Sequence, residues 1–340
     1  MFYLLTIINN NKYKFNKIKK EMQNINTQIK RKFKKPNSMF LNSDNRKELI
    51  TKFQIENNYI KYIKNESCKI YTIYENDFYK IKKKLEINIP KNNILLIHKI
   101  SSFLRSKLID WMIEVFNAYS SEKQTFFISV QILDLYIYQT KKILTDLDLH
   151  LIGITCILIA SQFEDLFPIQ MNELINKIGY KLFTKNEIIN KEIEIISTIG
   201  FSLFNSTTYD FILIYIFDFY YCNKEKIEKL NMENYLNSIE NTSIFLAKML
   251  CLNDKFSIIF PSIKAICCIT GAFDSLQSNC ILSFEVTEFL KGWIVLLIEK
   301  NNIELNCIES VYNDMKNYYI EMNCDLYLGK NLKLTHSLYF

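Results

Sequence analysis

The sequence predicts an all-helical protein built as two tandem helical bundles, and three observations predict it. Its 340 residues hold only six glycines and four prolines, too few residues tolerant of tight turns for a hairpin-rich β architecture. Apolar residues recur at steps of three and four from about residue 101 onward, the period of a helix with one buried stripe. The stretch Leu149 to Phe163 is apolar on nearly every side, as a helix is when other helices wrap it.

Composition sets the outer bounds. The length allows about two domains, each able to bury a core, and 49% hydrophobic with 23% charged residues is an ordinary globular balance. The net charge of +6 is unevenly spread: residues 1–52 carry thirteen Lys/Arg against three Asp/Glu, which leaves 29 against 33 for the rest. A mildly acidic body therefore comes after a basic arm. The nine cysteines form no C-x-x-C pair and mostly sit in apolar runs, so they read as small buried hydrophobes in a reducing compartment. The opening MFYLLTII has no positive stretch before it and no small-residue cleavage site after it, which argues against a signal peptide. Residues 149–163 fall short of the ~20 residues a bilayer crossing needs, and Asp146, Asp148, Glu164 and Asp165 bracket them.

Taken in order, residues 1–73 are a basic Asn/Lys-rich arm expected to be disordered. Its densest charge run, Lys30 to Pro36, has the composition of a nuclear address or a nucleic-acid contact, but the Asn/Lys-rich composition of the arm favours one that simply stays solvated. Residues 74–100 hold a short helix over 74–86, with Phe78 and Ile81 on one side, and a linker. Five helices are expected over 101–204. Leu104, Leu108, Trp111, Met112 and Val115 mark the first. Ser121-x-x-Gln124 is a capping box for the second, whose stripe is Phe126, Val130, Leu133 and Ile137. Thr145-x-x-Asp148 opens the central helix, Pro168 ends it, and Gly153, Thr155, Ala160 and Ser161 let neighbours approach its axis. A short helix near 170–177 precedes one opened by Thr184-x-x-Glu187 that runs to about Thr198.

Residues 205–322 repeat the plan. Thr207-x-x-Asp210 opens a helix to about Tyr221, 232–250 is the second, and Pro261 is well placed to open the third. Helices at 285–300 and 304–320 complete five, the last striped by Leu305, Ile308, Tyr312, Met315 and Tyr319. A shift of 110 residues lays Gly153–Phe163 over Ile263–Phe273, so PSIKAICCITGAF is the expected counterpart of the central helix. Residues 323–340 are a tail.

Leu-Arg-Ser-Lys-Leu-Ile-Asp-Trp at 104–111 resembles the R-x-x-L-[IV]-D-W helix that begins the cyclin box. Ile132-Leu133-Asp134, LIGITCILIASQFEDLFP and FTKNEIINKEIEIISTIGFSL continue that box in order and at its spacing. The resemblance covers about 74–204 well, the second half loosely and the first 70 residues not at all. YENDFYKIKKKLE at 74–86 is similar to the helix before the box in mitotic A/B-type cyclins. The resemblance implies two tandem five-helix cyclin-like bundles and a regulatory subunit without an active site, cofactor, metal or small-molecule substrate. Such a subunit binds a cyclin-dependent kinase as a heterodimer, sets its C-helix and activation segment, and serves cell-cycle control in the nucleus or cytoplasm.

The resemblance also implies roles by position. Arg105 and Asp134 match a buried ion pair that staples the first helix to the second. Glu192 matches the glutamate that hydrogen-bonds the kinase near its C-helix; its usual companion is a lysine where this chain has Gln162, which keeps amide donors but loses the charge. Phe163, Ile196, Phe201 and Leu203, with Phe78 and Ile81 from the preceding helix, match apolar positions laid against the kinase. Leu104, Lys107, Leu108, Trp111 and His150 match a substrate-docking patch. Lys107 stands where that patch wants an aliphatic side chain, and a charge in an apolar groove is costly, so ordinary R-x-L docking is not expected. Arg46-x-x-Leu49 resembles a minimal destruction box, a two-residue pattern too common to carry weight.

Other functions find less support. No G-x-G-x-x-G or P-loop pattern occurs, and His98, His150 and His336 lie in no metal-ligand spacing, so an enzyme is not expected. A cyclin-fold transcription factor or scaffold binding nucleic acid is the alternative, but phosphate binding wants Lys/Arg clustered on the folded face, and the body beyond residue 52 is net acidic.

Overall fold

The computed structural model describes residues 79–327, apart from 87–88, 201, 204 and 280–281. The arm at 1–73, Phe78, Phe201 and residues 328–340 lie outside the described residues. The described chain is helical: among the described residues the only strand-like pairing is an isolated bridge between Lys99 and Thr145.

The first bundle comprises α1 (Ser102–Ala118), α2 (Lys123–Gln139), α3 (Leu149–Glu164), α4 and α5 (Lys185–Thr198). Helix α4 is one α-turn, Met171–Glu173, running on into a π-turn, Leu174–Ile178. The second bundle comprises α6 (Thr208–Cys222), α7 (Glu233–Leu252), α8 (Pro261–Asn279), α9 (Phe284–Lys300) and α10 (Leu305–Tyr327). Two short elements had no sequence signal strong enough to predict: a six-residue helix, Lys224–Lys229, and a 3-10 turn, Asp254–Ile258. Helix α10 also runs past the expected end at 320, to Tyr327.

Capping explains several boundaries. Thr184 accepts from the Glu187 backbone N–H while the Glu187 carboxylate accepts from the Thr184 N–H at 2.8 Å, and Thr207 with Asp210 repeats the arrangement. Each pair satisfies two amides that a helix start leaves open. Gly200, at φ 61°, takes the left-handed position beyond the end of α5, where a side chain would be strained.

Two expected boxes form differently. Ser121 does not cap α2: its Oγ is buried without a partner, and Gln124 instead exchanges hydrogen bonds with Asp210 and Thr207 at the start of α6. The open end of α2 is served by Asp165 from the end of α3, which accepts from the Glu122 N–H at 3.0 Å and the Thr125 hydroxyl at 2.6 Å. A carboxylate from another helix out-competes the local hydroxyl because charge-assisted bonds are the stronger. The Thr145–Asp148 bonds do form, but they close a turn that precedes α3, whose first residue is Leu149.

Helix α3 is the enclosed rod the sequence predicts, buried without interruption from Ile152 to Ser161. Helix α2 is a correction, since from Thr125 to Ile137 every residue except Gln131 is buried, in place of one apolar stripe. Helices α1, α3, α5 and α6 all pack on it. In the second bundle the most extensive packing joins α7 and α8, and α8 buries Ala265, Ile266, Cys267, Cys268, Ile269, Ala272 and Phe273. A fully buried side chain of the larger apolar kinds contributes ~1.5–3 kcal/mol relative to exposure. Cys156, Cys267 and Cys268 are core residues as expected, with burial pushing the Cys267 thiol up to about 12; Cys222 and Cys307 are exposed, contrary to expectation.

Candidate functional site

The positions that the sequence singles out fall on two elements that pack against each other, the end of α3 and the middle of α5. Helix α3 stops because Asp165 leaves helical geometry at ψ 140° and its N–H closes onto Ser161. Beyond Ser161 the helix emerges from the core, and Gln162, Phe163 and Glu164 are exposed, Phe163 to 36%. On α5 only Ile188 and Ile195 are buried. Glu192 and Ile196 lie at the border of that stripe and are half-buried, Ile196 against the core. Leu203 is half-buried and packed on the core as well.

The charges are arranged unevenly. Neither Gln162 nor Glu192 has a hydrogen-bond or ion-pair partner among the described residues, and partial burial raises the Glu192 carboxyl above its ordinary range. Two positions on, Glu194 is the opposite case. It accepts from the Tyr136 hydroxyl at 2.9 Å, Lys142 at 2.7 Å and Lys191 at 3.0 Å. Those donors overcome its burial and hold its carboxyl down at about 2. Glu194 thus locks α5 to α2, while Glu192, half-buried, keeps acceptor capacity that no described residue uses.

The helical stretch 79–85 reaches this edge through Lys82. Its ammonium pairs with Asp210 at 2.8 Å and also pulls on the Glu164 carboxyl, which burial and the Asp210 charge raise. The same stretch is pinned by a Ser206 hydroxyl bond to the Lys82 carbonyl at 2.5 Å and by the Tyr79 hydroxyl on Asn301 at 2.8 Å. Ile81 is left 45% exposed. Sequence reasoning missed Phe167 and Ile193, both exposed apolar side chains beside these residues. Ile193 is one step off the Ile188–Ile195 stripe, and that offset was the available signal.

Arg105 and Asp134 meet in the interior. Arg105 is 1% exposed, and its guanidinium donates to both Asp134 oxygens at 2.6 and 2.7 Å, with Nε adding 3.0 Å. It also donates to the carbonyls of Cys251 and Leu252 at 3.1 and 3.4 Å, so the pair ties α1 and α2 to the end of α7 in the other bundle. Ser102 and Ser106 add bonds to Asp254 and the Leu252 carbonyl. Of the five docking-patch positions, Leu104 and Lys107 are exposed, and the Lys107 ammonium lies 4.6 Å from the centre of the Phe103 ring. Trp111 and His150 make an edge contact at 5.4 Å, and burial lowers the imidazole's pKa. Leu108 is buried beneath Gly153 and is core rather than surface.

Residues 77–204 match a family model described as the cyclin N-terminal domain. The chain is 28% identical over 152 residues to cyclin-A1-4 of Oryza sativa subsp. japonica, covering 45% of this chain and 41% of that one. It is 30% identical over 131 residues to the G2/mitotic-specific cyclin-B of Marthasterias glacialis, with coverage of 38% and 33%. With the G2/mitotic-specific cyclin-A of Hydra viridissima it shares 31% over 146 residues, covering 42% and 34%. The matched regions thus span between a third and about two-fifths of these relatives' lengths. Among solved structures, a viral cyclin from herpesvirus saimiri superposes with a TM-score of 0.53 at 19% identity, over 72% of this chain and 96% of the other, a likeness of fold.

Proposed function

Because the chain is a divergent member of the cyclin family, we propose that it has a cyclin-like regulatory role, binding and activating a cyclin-dependent protein kinase as the non-catalytic subunit of a heterodimer. The observation that carries this reading is Glu192, a half-buried carboxylate with no donor among the described residues, set beside an exposed apolar edge. A carboxylate held in that state gains most from a donor that a partner brings, and a partner's apolar helix puts most of its energy into a few anchors. Phe163, Ile196, Leu203 and Ile81 are the anchors in this reading, with Phe78 and Phe201 joining them by sequence position. Gln162 beside them donates neutral hydrogen bonds where the family's lysine donates charged ones about twice as strong, so the complex is weaker or restricted to particular kinases. In this reading the complex acts in the nucleus or the cytoplasm.

Affinity capture of the tagged chain, mass spectrometry of the proteins it retains and a kinase assay on the eluate test this directly. A kinase of the cyclin-dependent type is expected, with raised phosphotransfer. Recovery of the chain alone, under conditions that retain other cyclins on their kinases, removes the proposal. Gln162→Lys is expected to strengthen or broaden kinase binding in a calorimetric titration; unchanged affinity for every kinase tried takes Gln162 out of the interface.

A further inference from the structure

Where α1 gives way to α2 the chain turns through Ser120, at φ 50°, and a cavity of about 230 Å³ opens between that turn and α7. Two of its lining groups are unsatisfied. Ser121 Oγ is buried without a hydrogen-bond partner, because Asp165 has taken over the capping of α2. Lys248, projecting from α7, is only 8% exposed, yet among the described residues its ammonium has neither a hydrogen bond nor an ion pair. It has the Phe126 ring, 6.0 Å from ring centre to Nζ, the outer limit for a cation over an aromatic face. Burial lowers its pKa, and the nearby Lys123 charge lowers it further. An ammonium withdrawn from water without an anion is costly, and among the described residues this cation is enclosed without its counter-charge.

The rest of the lining shows the chemistry of that counter-charge. The amino end of α2 enters through Ser121, Glu122 and Lys123; Asp165 takes the Glu122 N–H and Phe116 the Ser121 N–H, which leaves the Lys123 and Gln124 N–H groups without an acceptor among the described residues, the open donors that a helix start presents. Glu122 is the one acid in the lining and is exposed. We propose that this cavity binds a phosphate group, with the Lys248 ammonium and the Ser121 hydroxyl as its buried donors and Lys123 with the start of α2 at its rim. A tetrahedral oxyanion offers acceptors in several directions, which a lysine with three donors, a hydroxyl and backbone amides can use together. Free phosphate and a phosphorylated serine of another protein share this chemistry. The site is separate from the Glu192 edge and does not depend on the kinase reading.

The test uses the full chain near neutral pH, with sodium phosphate compared against sodium chloride at matched ionic strength, read by thermal unfolding and calorimetric titration. Phosphate is expected to raise the Tm of the parent protein. Lys248→Met keeps the aliphatic stem and is expected to weaken phosphate binding roughly tenfold or more, as loss of a charge-assisted bond does, with a smaller loss in Ser121→Ala. In chloride Lys248→Met should be at least as stable as the parent, since it removes an unpaired buried charge; that separates a lost site from a lost fold. A blocked phosphoserine that binds more tightly than inorganic phosphate assigns the group to a protein side chain, and one that binds equally or less tightly assigns it to the free ion. No response in the parent, an adventitious ion only, or the same response in parent and Lys248→Met overturns the proposal.

Discussion

Helices α3 and α8 are the small-residue, apolar rods of the two bundles, yet their ends differ. Phe163, near the end of α3, is 36% exposed, whereas Phe273, 110 residues further on, is 4% exposed. Helix α8 continues to Asn279, and α10 crosses it there, with Met315 at Gly271 and the Tyr312 hydroxyl on Asp274. Helix α3 breaks at Asp165, and only a loop and the short α4 come after it. The same kind of helix is sealed in one bundle and open at its last turn in the other. In the proposed kinase complex the partner face comes from surface that neighbouring elements leave exposed, not from a special composition of the helix.

The sharpest ways to break that comparison begin in the interior. Arg105→Ala strands Asp134 and frees two carbonyls of α7, and should cost roughly 3–5 kcal/mol, seen as a large fall in denaturation midpoint with both bundles affected. Phe273→Ala should cost a similar ~3–5 kcal/mol, while Phe163→Ala should change stability by no more than about 0.5 kcal/mol and act instead on kinase capture. Equal destabilisation by the two would dissolve the distinction between sealed and open ends.

A finer contrast lies in the glycines. A Cβ on Gly153 would meet Leu108 at 2.6, 3.1 and 3.2 Å from three of its carbons, whereas on Gly271 it would meet the terminal methyl of Met315 at 2.9 Å and one methyl of Leu246 at 3.0 Å. The whole Leu108 side chain must shift in the first case, and the pliant end of a methionine absorbs much of the second. Overpacking costs ~1–3 kcal/mol and alanine recovers up to about 1 kcal/mol of helix propensity. Gly153→Ala is therefore expected to destabilise, and Gly271→Ala to come out near neutral, in parallel urea titrations.

The smallest effect is one of pH. The first bundle's tie between α2 and α5 runs through ionised Glu194, held at about 2 against an ordinary 4.5. A carboxyl lowered on folding adds stability that is full above its unfolded pKa and is lost as pH falls through the folded one, here between about 4.5 and 2. The second bundle's comparable tie mixes neutral bonds, the Tyr79 and Tyr215 hydroxyls both on the Asn301 amide oxygen, with the Lys300–Asp218 ion pair at 2.7 Å. Acid should therefore loosen the contact between α2 and α5 in hydrogen exchange over that window, and Glu194→Gln should flatten the response.

Much of the architecture could be read from residue order. The Thr184 and Thr207 boxes and the proline at 261 placed helix starts correctly, because those signals are satisfied within a single turn of chain. The α2 cap could not be read that way. Ser121 and Gln124 have the right spacing, but Asp165 and Asp210, which displaced them, are some forty and ninety residues away. The same limit applied to the candidate face: the family resemblance marked Glu192 and Ile196, but gave no way to tell Glu192, without a donor among the described residues, from Glu194 with three. Period, caps and small-residue rods are local or repeat along the chain, so the sequence by itself determined an all-helical pair of bundles and where most helices begin. Which carboxylate is locked, which phenylalanine stays exposed and which lysine is enclosed depend on side chains far apart in the chain. Only the tertiary structure decided these, because burial and pairing are properties of the groups that arrive together at one place.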